Sequence, residues 1–151
     1  MKKILWITMA VLLASLPYTG LLAMEEGHAG HGSMDHSGHA GKLIREATVD
    51  GYALAYHLID MREKTKGMKG MSNTHHLMLY IKAPHGHPVE KAKVGYLLQG
   101  PGGEKQKAMT MSMGGGFGAD VAMKDMGGYN IKTKFVVNDK KMTDQFTHHI
   151  H

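Results

Sequence analysis

The sequence predicts an all-β protein, an antiparallel β-sandwich of about 7–8 strands behind a leader and a low-complexity tail. Three observations predict it. Apolar and polar residues alternate over short runs from residue 42 to the carboxyl terminus. Those runs recur about every ten to fifteen residues between Gly, Pro, Asn and Asp turn signals. No stretch shows a convincing helical period. The 151 residues leave room for one domain of ordinary size once a targeting segment is set aside.

Residues 1–23 read as a secretory signal peptide. Lys2 and Lys3 form a basic start, 4–16 an apolar core, and Pro17, Thr19 and Gly20 loosen the chain before Leu21-Leu22-Ala23. Cleavage is expected after Ala23, although Leu21 departs from the small-residue preference upstream of the cut. The alternative is an uncleaved membrane anchor, because 4–24 lacks charge after Lys3 over about the length of a membrane span. Both readings export the remainder, to the periplasm or its equivalent.

Residues 24–41 are rich in Gly, Ala and Ser around His28, His31, Met34, His36 and His39. No apolar residue recurs with any period, so this tail is expected to be disordered. A glycine-rich chain can wrap such ligands around an ion without strain. Imidazole suits copper, nickel and zinc alike, so the tail reads as a metal collector that does not specify its metal.

The domain is expected over 42–151. A first strand, 43–49, ends at the hairpin signal Asp50-Gly51. In 52–61, Tyr52, Leu54, Tyr56 and Leu58 alternate with Ala53, Ala55 and His57. In 75–82, Leu77, Leu79 and Ile81 share one face, while His76, Met78, Tyr80 and Lys82 share the other. Further strands are expected at 94–98, 109–113, 119–123, 129–137 and 143–150. The connection 62–74 is irregular and carries Met68 and Met71 between lysines and glycines, where packing does not explain them.

The chain has 14 Met, 12 His and no Cys. The absence of cysteine excludes disulfides, Cys-type zinc sites, iron–sulfur clusters and a blue-copper centre. The formal charge of +5 includes Lys2 and Lys3, and the scattered lysines give no nucleic-acid footprint. No nucleophile–base pair, paired carboxylates or phosphate loop stands out, which argues against an enzyme.

Met109-Thr110-Met111-Ser112-Met113 alternates thioethers with small hydroxyl residues at the period of a strand. Thioether sulfur is a soft donor suited to Cu(I) and has no proton to lose. The other reading is core packing, with Thr110 and Ser112 on the wet face. His75, His76 and Met78 put three donors within four residues at a strand entrance. They are the natural partners of the Met strand, with Met68 and Met71 as loop donors. If the three strand methionines face the core, a shared site requires that their strand lie at a sheet edge, or that the site lie at the strand ends beside Gly114-Gly115-Gly116. His85-Gly86-His87 reads as a solvated turn, and His148, His149 and His151 close the chain.

Pro84-His85-Gly86-His87-Pro88-Val89-Glu90-Lys91-Ala92-Lys93-Val94 resembles the Asp-x-x-Gly-x-Pro-Val-x-x-Ala-x-Val turn of exported immunoglobulin-like modules. Gly128-Tyr129-Asn130-Ile131 resembles the Gly-x-Tyr-x-Val start of a late strand in the same modules. Together they resemble the YtkA-like/FixH-like group. That resemblance implies an immunoglobulin-like sandwich and an association with copper handling and oxidase assembly. Met109-x-Met111-x-Met113 resembles, more loosely, the Met-rich Cu(I) sites of CopC-like periplasmic carriers. Those carriers use an amino-terminal His for Cu(II), whereas cleavage after Ala23 would expose Met24-Glu25-Glu26.

The expectation is therefore an exported protein that binds copper, mainly Cu(I) with Cu(II) second. It would store or deliver the ion in copper tolerance or cytochrome oxidase maturation, with a membrane copper transporter or oxidase assembly factor as partner. A Zn(II)- or Ni(II)-binding protein with structural methionines, and a non-metal interaction module, are the alternatives.

Overall fold

The structure, a computed structural model, describes residues 38–151. The expected leader and the tail residues His28, His31, Met34 and His36 lie outside the described residues.

Turn chemistry sets the first hairpin. Asp50 (φ 50°) and Gly51 (φ 83°) both take the left-handed region, the requirement of a two-residue turn whose twist matches its strands. That turn joins β1 (Lys42–Val49) to β2 (Tyr52–Asp60), with Val49 opposite Tyr52. A one-turn helix, α1 (Arg62–Thr65), opens the irregular connection to β3 (His75–Lys82). Then follow β4 (Lys93–Gln99), β5 (Lys105–Met109), β6 (Met111–Met113) and β7 (Gly116–Val121). Asn138 and Asp139, both at positive φ, make the second tight hairpin between β8 (Gly127–Val137) and β9 (Lys140–Ile150).

Nine strands form two antiparallel sheets among the described residues. Sheet A has the order β1-β2-β3-β7-β6 and sheet B the order β5-β4-β8-β9. The expected β-sandwich is the observed architecture. Its core takes Leu54, Tyr56 and Leu58, then Leu77, Leu79 and Ile81, then Phe117 and Val121 from sheet A. Val94, Tyr96, Leu98, Ile131 and Phe135 face them from sheet B. The alternation read from sequence thus puts the expected residues inside. Tyr96 Oη donates to the Phe117 carbonyl at 3.0 Å, so this buried hydroxyl of sheet B's inner face has a partner across the core.

The two open sides of the sandwich are closed differently. On one side, the Arg45 guanidinium of β1 grips the Asp144 carboxylate of β9 through two bonds of 3.0 and 2.9 Å. On the other side, the chain itself crosses between sheets. β5 ends at Met109 on the edge of sheet B, and β6 begins at Met111 on the edge of sheet A. Thr110 anchors the crossing, its N–H and its hydroxyl both donating to the Val94 carbonyl at 3.2 and 3.1 Å. Gly114 and Gly115, both at positive φ, then turn the chain so that Met113 pairs with Gly116.

Sheet A departs from the simple apolar-in, polar-out pattern. Ala55, His57, Met78 and Tyr80 point away from the core and are nevertheless buried. The segment just before β1 covers part of this face. The Ala40 N–H donates to Tyr80 Oη at 3.0 Å, and the His39 ring stacks on the Tyr80 ring with centroids 3.7 Å apart.

Candidate metal centre

Strand register arranges the outer face of sheet A in rows. One row runs Leu43, His57, Met78, Gly118, Met111 across five strands, and the next carries Ile59, His76 and Asp120. Directly opposed residues on one face have Cβ atoms about 4.5–5.5 Å apart, so a row is a line of touching side chains. Gly118 interrupts the first row, and its lack of a side chain is what assembles the site. A Cβ there would collide with His76 Nε2 and with Met78 Sδ. Both donor atoms therefore lean from β3 over the bare backbone of β7, toward the edge strand that carries Met111.

His76 is oriented for this position. Its Nδ1–H donates to Asp120 Oδ1 at 2.6 Å. A carboxylate only accepts, so a proton stands on Nδ1, and it is Nε2 that presents the lone pair of the neutral ring. That Nε2 is buried and has no hydrogen-bond partner. Leaving such an atom unsatisfied costs about 1–3 kcal/mol, and an ion bound there would remove the cost. An imidazole fixed by a carboxylate on its other nitrogen is the arrangement that metal-ligating histidines ordinarily have.

The methionines of the edge complete the donor set. Met111 and Met113 are exposed, with 68% and 37% of their surface accessible, and are not core residues. Together with Met109, His76, Gly118 and Asp120 they line an open groove of about 510 Å³ along the edge. Met109 is divided between two surfaces, since its Sδ also lies over Gly95 on the outer face of sheet B. The tension between a Met strand and an outward-facing His76 and Met78 disappears because the strand is an edge in both sheets.

The remaining expected ligands lie elsewhere. His75 points into the sandwich, on the face opposite His76, with Nδ1 2.9 Å from the Thr74 hydroxyl and Nε2 3.9 Å from Asp60 Oδ1. Burial lowers its pKa and keeps it neutral, partly opposed by the Asp60 charge. Met68 and Met71 are exposed on the long connection and do not line the groove. His39 sits over His57 and Tyr80. His148, His149 and His151 share a separate pocket with His75 and Asp60 at the β1–β2–β9 end. Among the described residues, no three His, Asp or Glu side chains come together to hold a metal, so the donors gathered in the groove are one imidazole and several thioethers.

Sequence reasoning missed three residues of this face: His57, Asp120 and Gly118. The signal was present. Phe117, Ala119 and Val121 alternate as core residues, which turns Gly116, Gly118 and Asp120 outward beside His76 and Met78.

The fold and site describe a two-sheet β-sandwich that carries an imidazole–thioether cluster on the outer face of one sheet. No family model and no curated protein matches the sequence. Solved structures do share the fold. FetP of uropathogenic Escherichia coli, as isolated, is 19% identical with a TM-score of 0.51, over 70% of this chain and 93% of FetP. A copper-bound variant of the same FetP is 19% identical with a TM-score of 0.56, over 71% and 89%. A copper-bound variant of Campylobacter jejuni P19 is 13% identical with a TM-score of 0.53, over 73% and 96%. At these identities the likeness is one of fold.

Proposed function

We propose that this is an exported copper-binding protein, periplasmic in a bacterium with two membranes, whose ordered site takes Cu(I). His76 Nε2, Met78 Sδ and Met111 Sδ are the proposed ligands, with Met113 and Met109 as further thioether donors along the edge. The observation that carries the reading is the orphaned, carboxylate-oriented Nε2 of His76 beside a thioether, over a glycine whose missing side chain makes room for both. Soft neutral sulfur with one imidazole suits Cu(I), whereas hard divalent ions prefer oxygen. The copper-bound state of two of the similarly folded structures supports the same metal. The role is storage or delivery without catalysis, in copper tolerance or oxidase maturation, handing the ion to a membrane transporter or an assembly factor. The tail, with His28, His31, Met34 and His36, serves as a lower-affinity collector.

Cu(I) competition against a chromogenic chelator tests the assignment. The wild-type protein should hold one tightly bound Cu(I), and the Met78→Leu/Met111→Leu variant should lose it while keeping its fold. A wild-type protein that fails to compete for Cu(I) sinks the reading.

A further inference from the structure

His57 belongs to the buried outer face of sheet A, with only 2% of its surface accessible, yet the thioether site does not use it. Its Nδ1–H donates to the Gly41 carbonyl at 3.2 Å, since a carbonyl only accepts. Nε2 is thereby left with its lone pair, and it faces His39 Nδ1 at 3.3 Å. Two ring nitrogens at that distance share one hydrogen, which His39 supplies. His39 is in turn held flat against Tyr80, the two rings only 7° from parallel, and the next residue's N–H is bonded to Tyr80 Oη. The Gly41 carbonyl and the Tyr80 ring thus orient the two imidazoles without engaging the facing nitrogens.

We infer that His39 and His57 form a second metal site, specific for an imidazole-preferring divalent ion, Cu(II) or Zn(II), and distinct from the thioether site. Two nitrogens each about 2.0 Å from one ion and 3.3 Å apart subtend about 110° at it, close to the tetrahedral angle. Binding needs no net proton loss: the ion takes the place of the shared hydrogen as His39 moves its proton from Nδ1 to Nε2. The Gly41 carbonyl fixes the tautomer of His57, as outer partners do for ligating histidines. His57 is also the direct neighbour of Met78 in the row, so an ion held here stands one residue pair from the thioether ligands. The site goes beyond the Cu(I) reading and does not depend on it.

Cu(II) and Zn(II), titrated separately into the whole protein against a chelator of known affinity, test this site. Losing a ligand should cost more than losing an outer partner, which already costs about 10–100-fold. His57→Gln and His39→Ala should therefore each weaken one or both ions by at least about tenfold. His39 precedes the first strand and pairs in neither sheet, so its replacement should leave the sandwich folded. In the Zn(II) arm, the ¹⁵N resonance of His57 Nε2 should shift on binding. Cu(I) affinity should stay within about twofold of wild type in both variants, and Met78→Leu/Met111→Leu should keep the divalent site. If either histidine variant binds both ions as tightly as wild type, the pair is not a site, and the divalent ions reside on other histidines. That result would leave the Cu(I) reading standing, just as a failure of Cu(I) binding would leave this one.

Discussion

Asp120 lies 2.6 Å from His76 Nδ1, and through that bond it decides which nitrogen of His76 is available. The acid is half exposed on β7, two residues beyond Gly118, and contributes nothing to the core. Its effect is confined to the imidazole, where it holds the tautomer and the ring plane. Replacement by Asn keeps the shape but allows the amide to donate, which removes the preference for a proton on Nδ1. Asp120→Asn should weaken Cu(I) binding by about 10–100-fold with an unchanged urea midpoint. Chelator competition alongside urea unfolding gives both readouts. An Asp120→Asn protein with wild-type Cu(I) affinity would show that the orientation is incidental.

Gly118 has no room for a side chain. Gly118→Ala would drive a methyl into His76 Nε2 and Met78 Sδ, so both must rotate away. The cost to stability should be about 1–3 kcal/mol, the usual range for overpacking. The cost to Cu(I) binding should be larger, because both donors are displaced together. Thermal unfolding and Cu(I) competition on the same sample separate the two effects.

The methionines divide by place. Met78→Leu and Met111→Leu should each lower Cu(I) affinity while changing stability by less than about 1.5 kcal/mol, since Leu conserves volume and apolarity. Met68→Leu/Met71→Leu should leave Cu(I) affinity as it is, because neither residue lines the groove. Equal losses from the two sets would place Cu(I) on methionine generally and not on this edge.

The β1–β9 clamp makes stability depend on acidity. Burial alone would raise the Asp144 carboxyl, but the hydrogen bonds and charge of Arg45 outweigh it and hold the pKa below the ordinary carboxylate value. A carboxyl whose folded-state pKa is depressed stabilises the fold above its unfolded value, about pH 4. The contribution is lost as pH falls through the folded value. Asp144→Asn should cost about 1–3 kcal/mol at pH 7, most of it from stranding Arg45. It should also flatten the decline in urea midpoint below about pH 4. An unchanged acid profile in the variant would remove the clamp from the list of acid-sensitive groups.

Much of the fold was legible because a strand's period is local. Ile131, Phe135 and Val137 alternate with Lys132 and Lys134, and no distant residue is needed to know which side is buried. The Asp50-Gly51 and Asn138-Asp139 turns were equally local, since positive φ is tolerated by few residue types. The donor types were legible too. Met111, Met113, His76 and Met78 all line or adjoin one groove, and their chemistry was written in their identity.

What the sequence by itself determined, then, is what depends on neighbours in the chain: most of the strands, though not 105–109, the turns, and the supply of soft ligands. What only the tertiary structure decided is which ligands meet. The Met stretch reads as one strand in sequence, yet Thr110 binds Val94 and divides it between the edges of two sheets. His75 and His76 are adjacent in sequence and lie on opposite faces, because successive residues of a strand must. His57 and His39 are 18 residues apart and touch. Asp120 reaches His76 across 44 residues because β7 pairs with β3 in one register and no other, and Gly118 falls beside Met78 for the same reason. Pairing between distant strands is fixed by burial of the whole core, and no stretch of sequence carries that information alone.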